Sequence, residues 1–440
     1  MGQTLANFQA ALKRDYHGPI IDSLRNLSPT YRLIEKNEED VSGDTLTAYV
    51  PIKTRRNQGI ASIAENAALP PAQNSAFLQL AIPLTNTYGR IEFTGQTMAA
   101  SRKSSTAFAK VVDVEVNGMV EAMKINVNRM LCNGNGTGYL GQTNGTGGGA
   151  DATVTVNNPG TQYLEEGQSI YSLDAETAGT ATGDVDISEG LTAATAYRVG
   201  PITSDTTFEL YDSAFASIAT EKWSDNRFLF RYGSQDNEMM GLRGVIDNEA
   251  IKATSSWFGF GNAITTIYGS SRVTNPILDA NIVHNNNATQ VLTEANMENT
   301  LDTIEKASGQ LGAIGKRCII TSYGVKRAYV DLLQADRRYV KPLNLVGGWK
   351  AIAYQYGNEE IPIIVDKQAV PNTMMFVNTK FLAIYRASEF DWLDYDGSMF
   401  QRKIDSNGEY DAYTATMYCY MNLGCSNFKA QGALRDITEA

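Results

Sequence analysis

Between Ser104 and Cys132 the apolar residues Phe108, Val112, Val116, Met119, Met123, Val127 and Met130 follow one another in steps of four, four, three, four, four and three. Side chains at that spacing line one face of an α-helix, and no proline interrupts them. Ser104 and Ser105 supply acceptors for the helix start. Asn133-Gly134 supplies the stop, with Gly134 expected in a left-handed conformation. At 1.5 Å per residue the helix would be about 40 Å long, the length of a whole small domain. Its methionines and valines read as core packing rather than as a cofactor groove. A helix of this length is hard to cover within a single chain.

Two further segments share that difficulty. Leu46, Ala48, Val50 and Ile52 alternate, and so do Leu78, Leu80, Ile82 and Leu84, as two half-buried strands would. Between them run Thr54-Arg55-Arg56-Asn57-Gln58-Gly59 and Glu65-Asn66-Ala67-Ala68-Leu69-Pro70-Pro71, so a long two-stranded projection is expected. A lone ribbon is marginal in water and presents unpaired edges, so it needs a neighbour to lie on. At the start of the chain Leu5, Phe8 and Leu12 sit at helical spacing and His17-Gly18 breaks the pattern. Pro19 then opens a short helix carrying Ile20, Ile21, Leu24 and Leu27, which completes an amphipathic arm.

Charge separates one stretch from the rest. Gly141 to Gln235 holds 13 acidic and 4 basic residues, minus 9 of the chain's formal minus 11. It opens with Gly145 and Gly147 to Gly149. Strand-like pieces follow at Ala152 to Val156, Ser169 to Leu173, Gly183 to Ile187 and Thr207 to Tyr211, with turn chemistry such as Asn157-Asn158-Pro159-Gly160 between them. An inserted small β domain is expected over 141–235, its acidity read as a solvated surface or as a calcium or partner site.

Beyond the insertion helix and strand alternate. Thr293 caps a helix carrying Met297, Leu301 and Ile304, and Gly309 stops it. Arg317 to Thr321 reads as a buried strand, and a helix with Val325, Tyr329 and Leu332 follows. Strands are expected at Ile361 to Val365, Met374 to Val377, Phe381 to Tyr385 and Ala412 to Met421. These are not repeated βαβ units, so the fold class is α+β.

Composition narrows the function. With 37 basic against 48 acidic side chains, a generally basic nucleic-acid-coating protein is excluded. Four scattered cysteines make neither a disulfide scaffold nor a metal site. Met1 to Ile20 shows no signal-peptide pattern, and no apolar run approaches the roughly 18 residues that span a bilayer. With His17 and His284 alone, histidine-rich metal sites cannot be built, and both read as cap or loop residues. Gly136-Thr137-Gly138-Tyr139-Leu140-Gly141 follows a helix, whereas a dinucleotide fingerprint follows a strand. Gly315-Lys316 lacks the rest of a phosphate loop. Around Asp394, Asp396 and Gly397, Trp392 and Lys403 stand where calcium ligands are required. Pairs such as Glu165-Glu166 and Glu359-Glu360 are adjacent in loops. No enzyme, cofactor or metal is expected.

Two basic clusters remain: residues 51–110, with 7 basic against 2 acidic side chains, and residues 316–350, with 8 against 2. The first includes Lys53, Arg55 and Arg56, and the second Arg327, Arg337 and Arg338. Neither is interleaved with aromatics for stacking bases. For the projection's arginines, intersubunit contact, solvated surface and DNA contact all remain open.

The order of segments resembles the major capsid proteins of tailed bacteriophages, with the Hong Kong 97 fold. It covers the arm from Phe8 to Leu33, the ribbon with Arg56-Asn57-Gln58-Gly59 and Glu65 to Pro70, and Tyr88-Gly89-Arg90-Ile91-Glu92-Phe93-Thr94-Gly95-Gln96. It continues through the long helix to Asn133-Gly134, then Ile320-Thr321-Ser322-Tyr323, Asp336-Arg337-Arg338-Tyr339, and Phe390-Asp391-Trp392 with Asp411. The resemblance implies an N-terminal arm over 1–46, an extended β-ribbon loop over 47–98, and a peripheral domain with its spine helix over 99–140. After the insertion at 141–235 it implies a connection over 236–289, an axial domain over 290–400 and a return to the peripheral domain over 401–440.

By the same resemblance, the chain is expected to self-assemble into hexamers and pentamers of an icosahedral head enclosing double-stranded DNA, in the virion after assembly in the host cytoplasm. Arg55, Arg56, Glu65, Arg337 and Arg338 are its intersubunit contact candidates. A portal, a separate scaffolding protein, a decoration or minor capsid protein and non-specific DNA are its expected partners, with no membrane. The chain starts directly with the arm, so a fused scaffolding segment is expected to be absent or removed. Without a Lys at the loop tip, and with only Lys53 at its base, no Lys–Asn crosslink between subunits is expected. The alternative is a phage tail or receptor-binding protein that uses the β insertion for adhesion.

Overall fold

The computed structural model describes residues 29–38, 40–42, 46–65, 68–96, 111–145, 153–157, 159–173, 197–212, 214–217, 226–251, 257, 264–309, 315–335, 343–344, 350–357, 359–394, 399–405 and 408–440. The readings at Leu5 to Leu27, at 104–110, at 183–187 and at Arg337-Arg338 fall outside them.

Along the chain come α1 (Pro29–Leu33), β1 (Glu35–Asn37), β2 (Val41–Ser42), β3 (Thr47–Arg55), β4 (Ala76–Pro83), β5 (Thr85–Thr94) and α2 (Val111–Asn133). Six short strands follow: β6 (Tyr139–Gln142), β7 (Thr153–Thr155), β8 (Ser169–Leu173), β9 (Tyr197–Ser204), β10 (Thr207–Tyr211) and β11 (Phe228–Arg231). After the hairpin β12 (Thr266–Ile267) and β13 (Ser270–Ser271) come β14 (Asn281–Val283), α3 (Glu294–Ser308), β15 (Arg317–Thr321) and α4 (Tyr323–Ala335). The remainder is β16 (Leu343–Asn344), β17 (Lys350–Tyr356), β18 (Glu359–Val365), β19 (Met374–Asn378), β20 (Leu382–Trp392), β21 (Gln401–Asp405), β22 (Gly408–Cys425) and β23 (Gly432–Leu434). The chain divides into two compact units.

One unit holds residues 85–128 and 386–421 among those described. Here β5 pairs antiparallel with β22 without a register break, from Thr85 opposite Met421 to Thr94 opposite Ala412. Ile91, Phe93 and Ala415 form a buried face, with Val116 and Met119 of α2 packed on it beside Trp392, Met399 and Phe400. Gly89 makes room for the helix, since a Cβ there would lie 2.5 Å from Met119 Sδ. The stripe read from the sequence thus meets a sheet.

The other unit holds 29–84, 129–385 and 422–440 among the described residues. Its largest sheet has seven strands in the order β14-β23-β19-β15-β18-β17-β16. The helices α3 and α4 contribute Met297, Leu301, Ile304, Val325 and Tyr329 to one core with Ile319, Ile361, Ile363, Phe376 and Leu434. Thr293 caps α3 by accepting from the Asn296 N–H, and Gly309 ends it at φ 65°. The late strand β23 and the early strand β14 both lie in this sheet. Its members therefore run beyond 290–400 on both sides, and 401–440 divides between β22 and β23.

Strands β6 to β11 pair among themselves in the order β6-β11-β8-β9-β10-β7. Asn144 N donates to Thr155 O at 2.8 Å, Asn157 N to Gln142 O at 2.7 Å, and Thr143 bridges Val156. These bonds join the two outer strands, so the six close into a barrel. Leu140, Val154, Ile170, Val199, Phe208, Leu210 and Leu229 are buried in it. Closure removes the free edges that a small open sheet would present.

One local expectation is corrected. Gly134 is absent from the residues with positive φ, which begin after the helix at Gly136 (90°) and Gly138 (82°). The glycine is required by crowding: a Cβ would lie 2.3 Å from Met130 O and 2.6 Å from Met239 O.

Candidate functional site

The ribbon is the part of the described chain least able to satisfy itself. β3 and β4 pair from Thr47 opposite Pro83 to Arg55 opposite Ala76, with a bulge between Lys53 and Arg55. Ala48, Val50, Ile52, Leu80 and Ile82 are buried, the alternation expected of a sheet with one covered face. Leu46, expected to belong to that face, precedes the strand at φ 47° and is exposed. At the base Ile82 packs where Gly424 leaves room, since a Cβ there would lie 2.6 Å from Ile82 Cδ1 and 2.4 Å from the Tyr385 ring.

Past Arg55 and Ala76 the strands part into a long loop. One asparagine ties its neck: Asn57 Nδ2 donates to Gln73 O, and Asn57 Oδ1 accepts from Gly59 N at 2.8 Å. Beyond this tie Ile60 is 85 % exposed and Leu69 83 %, with Ile63 also exposed, and Phe77 at the base of the loop is 67 % exposed. Full burial of an Ile or Leu side chain is worth about 1.5–3 kcal/mol. Most of that is forgone here by Ile60 and Leu69.

Arg55 and Arg56 stand exposed where the loop begins, and Glu65 is exposed further along it. No ion pair among the described residues joins Glu65 to either arginine. Arg337 and Arg338 lie outside the described residues. Sequence reading singled out the charges of the loop and missed Ile60, Ile63 and Phe77. For Ile60 and Ile63 a signal was available, large apolar residues in a segment with neither strand nor helix period, whereas Phe77 lies on the outer face of β4.

Elsewhere charged side chains have partners within the chain. Arg317 of the second basic cluster bonds Glu305 at 2.8 Å and also Glu359, and Arg327 Nε donates to Ala440 O at 2.5 Å. Arg129 and Glu238 form a buried pair at 2.5 Å. Arg435 bonds Asp247 at 2.9 Å and lies 3.8 Å from the Trp257 ring centre. Burial pushes the Arg435 guanidinium below its ordinary range, and Asp247 opposes that shift. These groups fasten the fold.

The short motifs have structural explanations. The G-x-G-x-x-G run follows α2 and leads into β6, so no helix N-terminus follows it to meet a pyrophosphate. His284 Nδ1 accepts from Asn286 N at 3.1 Å within its loop. An open groove of about 610 Å³ is lined by Thr161, Gln162, Asp205, Asn372 and Glu439, among others. Glu439 there already accepts from Ser322 Oγ at 2.5 Å and Asn372 N at 2.9 Å. Among the described residues no three His, Cys, Asp or Glu side chains gather as metal ligands. No described helix is long and apolar enough to cross a membrane.

No family model matches the sequence, and no curated protein matches it. The match is in three dimensions. The structure of the cyanophage A-1(L) capsid asymmetric unit superposes with a TM-score of 0.55 at 12 % identity, covering 97 % of this chain and 97 % of that one. The chain has the fold of a phage capsid protein. Other solved structures align over similar lengths, among them the capsid of an empty GTA particle, with TM-score 0.49, 10 % identity and coverage of 97 % of this chain and 96 % of that one. The resemblance read from segment order is thus met at the level of the fold. Within this capsid fold the exposed apolar loop is the feature that calls for a partner surface.

Proposed function

We propose that this chain is the structural major capsid protein of a tailed phage, self-assembling into hexamers and pentamers of an icosahedral head around double-stranded DNA. The observation that carries this reading is the ribbon, a capsid-fold projection whose outer loop exposes Ile60, Ile63 and Leu69. Sister copies would cover those side chains. In Hong Kong 97 terms, 1–46 is the arm, 47–98 the extended loop, 99–140 the peripheral domain with its spine helix, and 290–400 the main part of the axial domain. Residues 401–440 return to the peripheral domain, with β23 completing the axial sheet.

The barrel formed between Tyr139 and Arg231 is, in this reading, the domain inserted over 141–235. Arg55, Arg56 and Glu65 on the ribbon, together with Arg337 and Arg338, select register between neighbours more than they add affinity. The wall confines DNA and need not bind it tightly, so net negative charge is compatible with the role. The partners are further copies, a portal, a scaffolding protein and a decoration or minor capsid protein. The setting is the phage head, built in host cytoplasm.

Electron microscopy of the purified protein, alone and with its scaffold, tests this. Closed shells or six-fold and five-fold rings are expected. Slender trimers would overturn the reading in favour of a tail or receptor-binding protein, and a compact monomer at every concentration would overturn both.

A further inference from the structure

Among the described elements β5 is a long edge strand. It is ten residues long, Thr-Asn-Thr-Tyr-Gly-Arg-Ile-Glu-Phe-Thr, about 34 Å at the rise of an antiparallel strand. Among the described elements it pairs with β22 alone, and that ladder has no bulge. Natural edge strands are generally short, bulged, covered, or guarded by charged side chains, lysine above all, or by proline. β5 contains neither lysine nor proline, and its two charges are of opposite sign, Arg90 and Glu92. Its face away from the core carries Asn86, Tyr88, Arg90 and Glu92, with Tyr88 54 % exposed.

The charges on this edge are arranged to match themselves. Arg90 and Glu92 flank Ile91, so an antiparallel pairing of two β5 strands centred on Ile91 sets each Arg90 directly opposite the other copy's Glu92. Opposite charges at directly facing positions favour a pairing, and like charges oppose it. A two-fold contact needs this self-complementarity, because the same patch serves both sides. Glu92 is already held by Lys403 Nζ, 2.8 and 3.1 Å from its two oxygens. A carboxylate has about four acceptor sites, so it can take Arg90 of a sister chain as well.

We propose that β5 is a two-fold docking edge for a second copy of this chain, joining the β5–β22 sheets of two subunits into one continuous sheet. The inference rests on the reading of the chain as a shell subunit and names one of its contacts. The mode is strand addition: main-chain hydrogen bonds supply affinity and the two Arg90–Glu92 pairs fix register.

The test is sedimentation equilibrium of unassembled full-length protein, together with assembly yield. Arg90→Glu turns both cross-strand pairs repulsive and is expected to weaken dimerisation about tenfold. The charge-swapped variant Arg90→Glu/Glu92→Arg/Lys403→Glu is expected to restore it, with the swap at 403 keeping the internal pair intact. Oxidising a mixture of Arg90→Cys and Glu92→Cys proteins should give a disulfide between positions 90 and 92 of different chains, since facing Cα atoms lie about 4.5–5.5 Å apart. The four native cysteines are buried.

Arg90→Glu protein that dimerises like the wild type, or a swapped variant as weak as Arg90→Glu alone, overturns the pairing. So do dimers that yield no 90–92 disulfide, which places a different strand or surface at the contact. Shells that form equally well from Arg90→Glu protein overturn the pairing and leave the shell reading standing. A wild-type chain that forms the β5 dimer and no shell supports the pairing and overturns the shell reading.

Discussion

Replacing Ile60 and Leu69 together by serine separates what these side chains do in one copy from what they do between copies. In the single chain they are 85 % and 83 % exposed, so little contact is lost and unfolding free energy should stay within about 0.5 kcal/mol of wild type. In an assembled contact each would give up most of that exposure. At about 2 kcal/mol for a buried Ile or Leu, scaled by the exposed fraction, the pair contributes roughly 3 kcal/mol per contact. That corresponds to about a 150-fold weaker association at each contact.

Because every subunit repeats the loss, the concentration at which light scattering first detects shells should rise steeply. The thermal midpoint of unassembled protein should move by less than about 2 °C. Assembly of the double variant at wild-type concentration would refute the assignment of these residues to an interface. A midpoint lowered by more than about 5 °C would show instead that they are packed within the single chain.

Other outcomes follow from the interior. Glu238→Gln removes the carboxylate 2.5 Å from the buried Arg129, so the midpoint of urea unfolding should fall by the equivalent of about 3 kcal/mol, and Arg129→Met in the same background should recover part of it. Thr293→Ala removes the acceptor at the start of α3 and should cost about 1 kcal/mol by the same assay. Burial pushes the Cys318 and Cys425 thiols to about 12 and that of Cys419 to about 11. The folded state therefore favours the neutral thiol. That contribution is fully present below pH ~9, where free thiols titrate, and is lost as pH rises toward 12. Native protein at pH 8.5 should resist iodoacetamide until urea unfolds it, and fast labelling of folded protein would contradict the burial.

Much of the fold was legible because local signals agreed with tertiary demand. α3 begins at Thr293 and ends at Gly309, β15 spans Arg317–Thr321, and β8 and β10 occupy the expected residues. Each has a cap or a clear period. Strands β6, β9 and β11 were not legible. β6 contains Gly141, β9 carries Gly200 and Pro201, and β11 is four residues long. Barrel closure, a non-local effect, organises them.

The candidate site was half legible. Alternation in 46–52 and 78–84 exposed the ribbon, and its arginines drew notice as charges. Nothing periodic marks Ile60 or Phe77, whose meaning lies in being uncovered. The pairing of β23 beside β14 and β19 was equally hidden, since partners as distant in sequence as Asn281 and Gly432, or Met374 and Leu434, leave no local pattern.

The barrel's two terminal strands have a consequence for how such a chain changes over time. β6 brings the polypeptide in and β11 takes it out, and the two are hydrogen-bonded neighbours, with Gln142 facing Phe228 and Gly141 facing Leu229. Entry and exit therefore sit one strand spacing apart, about 4.8 Å. Anything that begins and ends at that separation can be spliced there, from a tight hairpin to a foreign module, while the flanking backbone keeps its place.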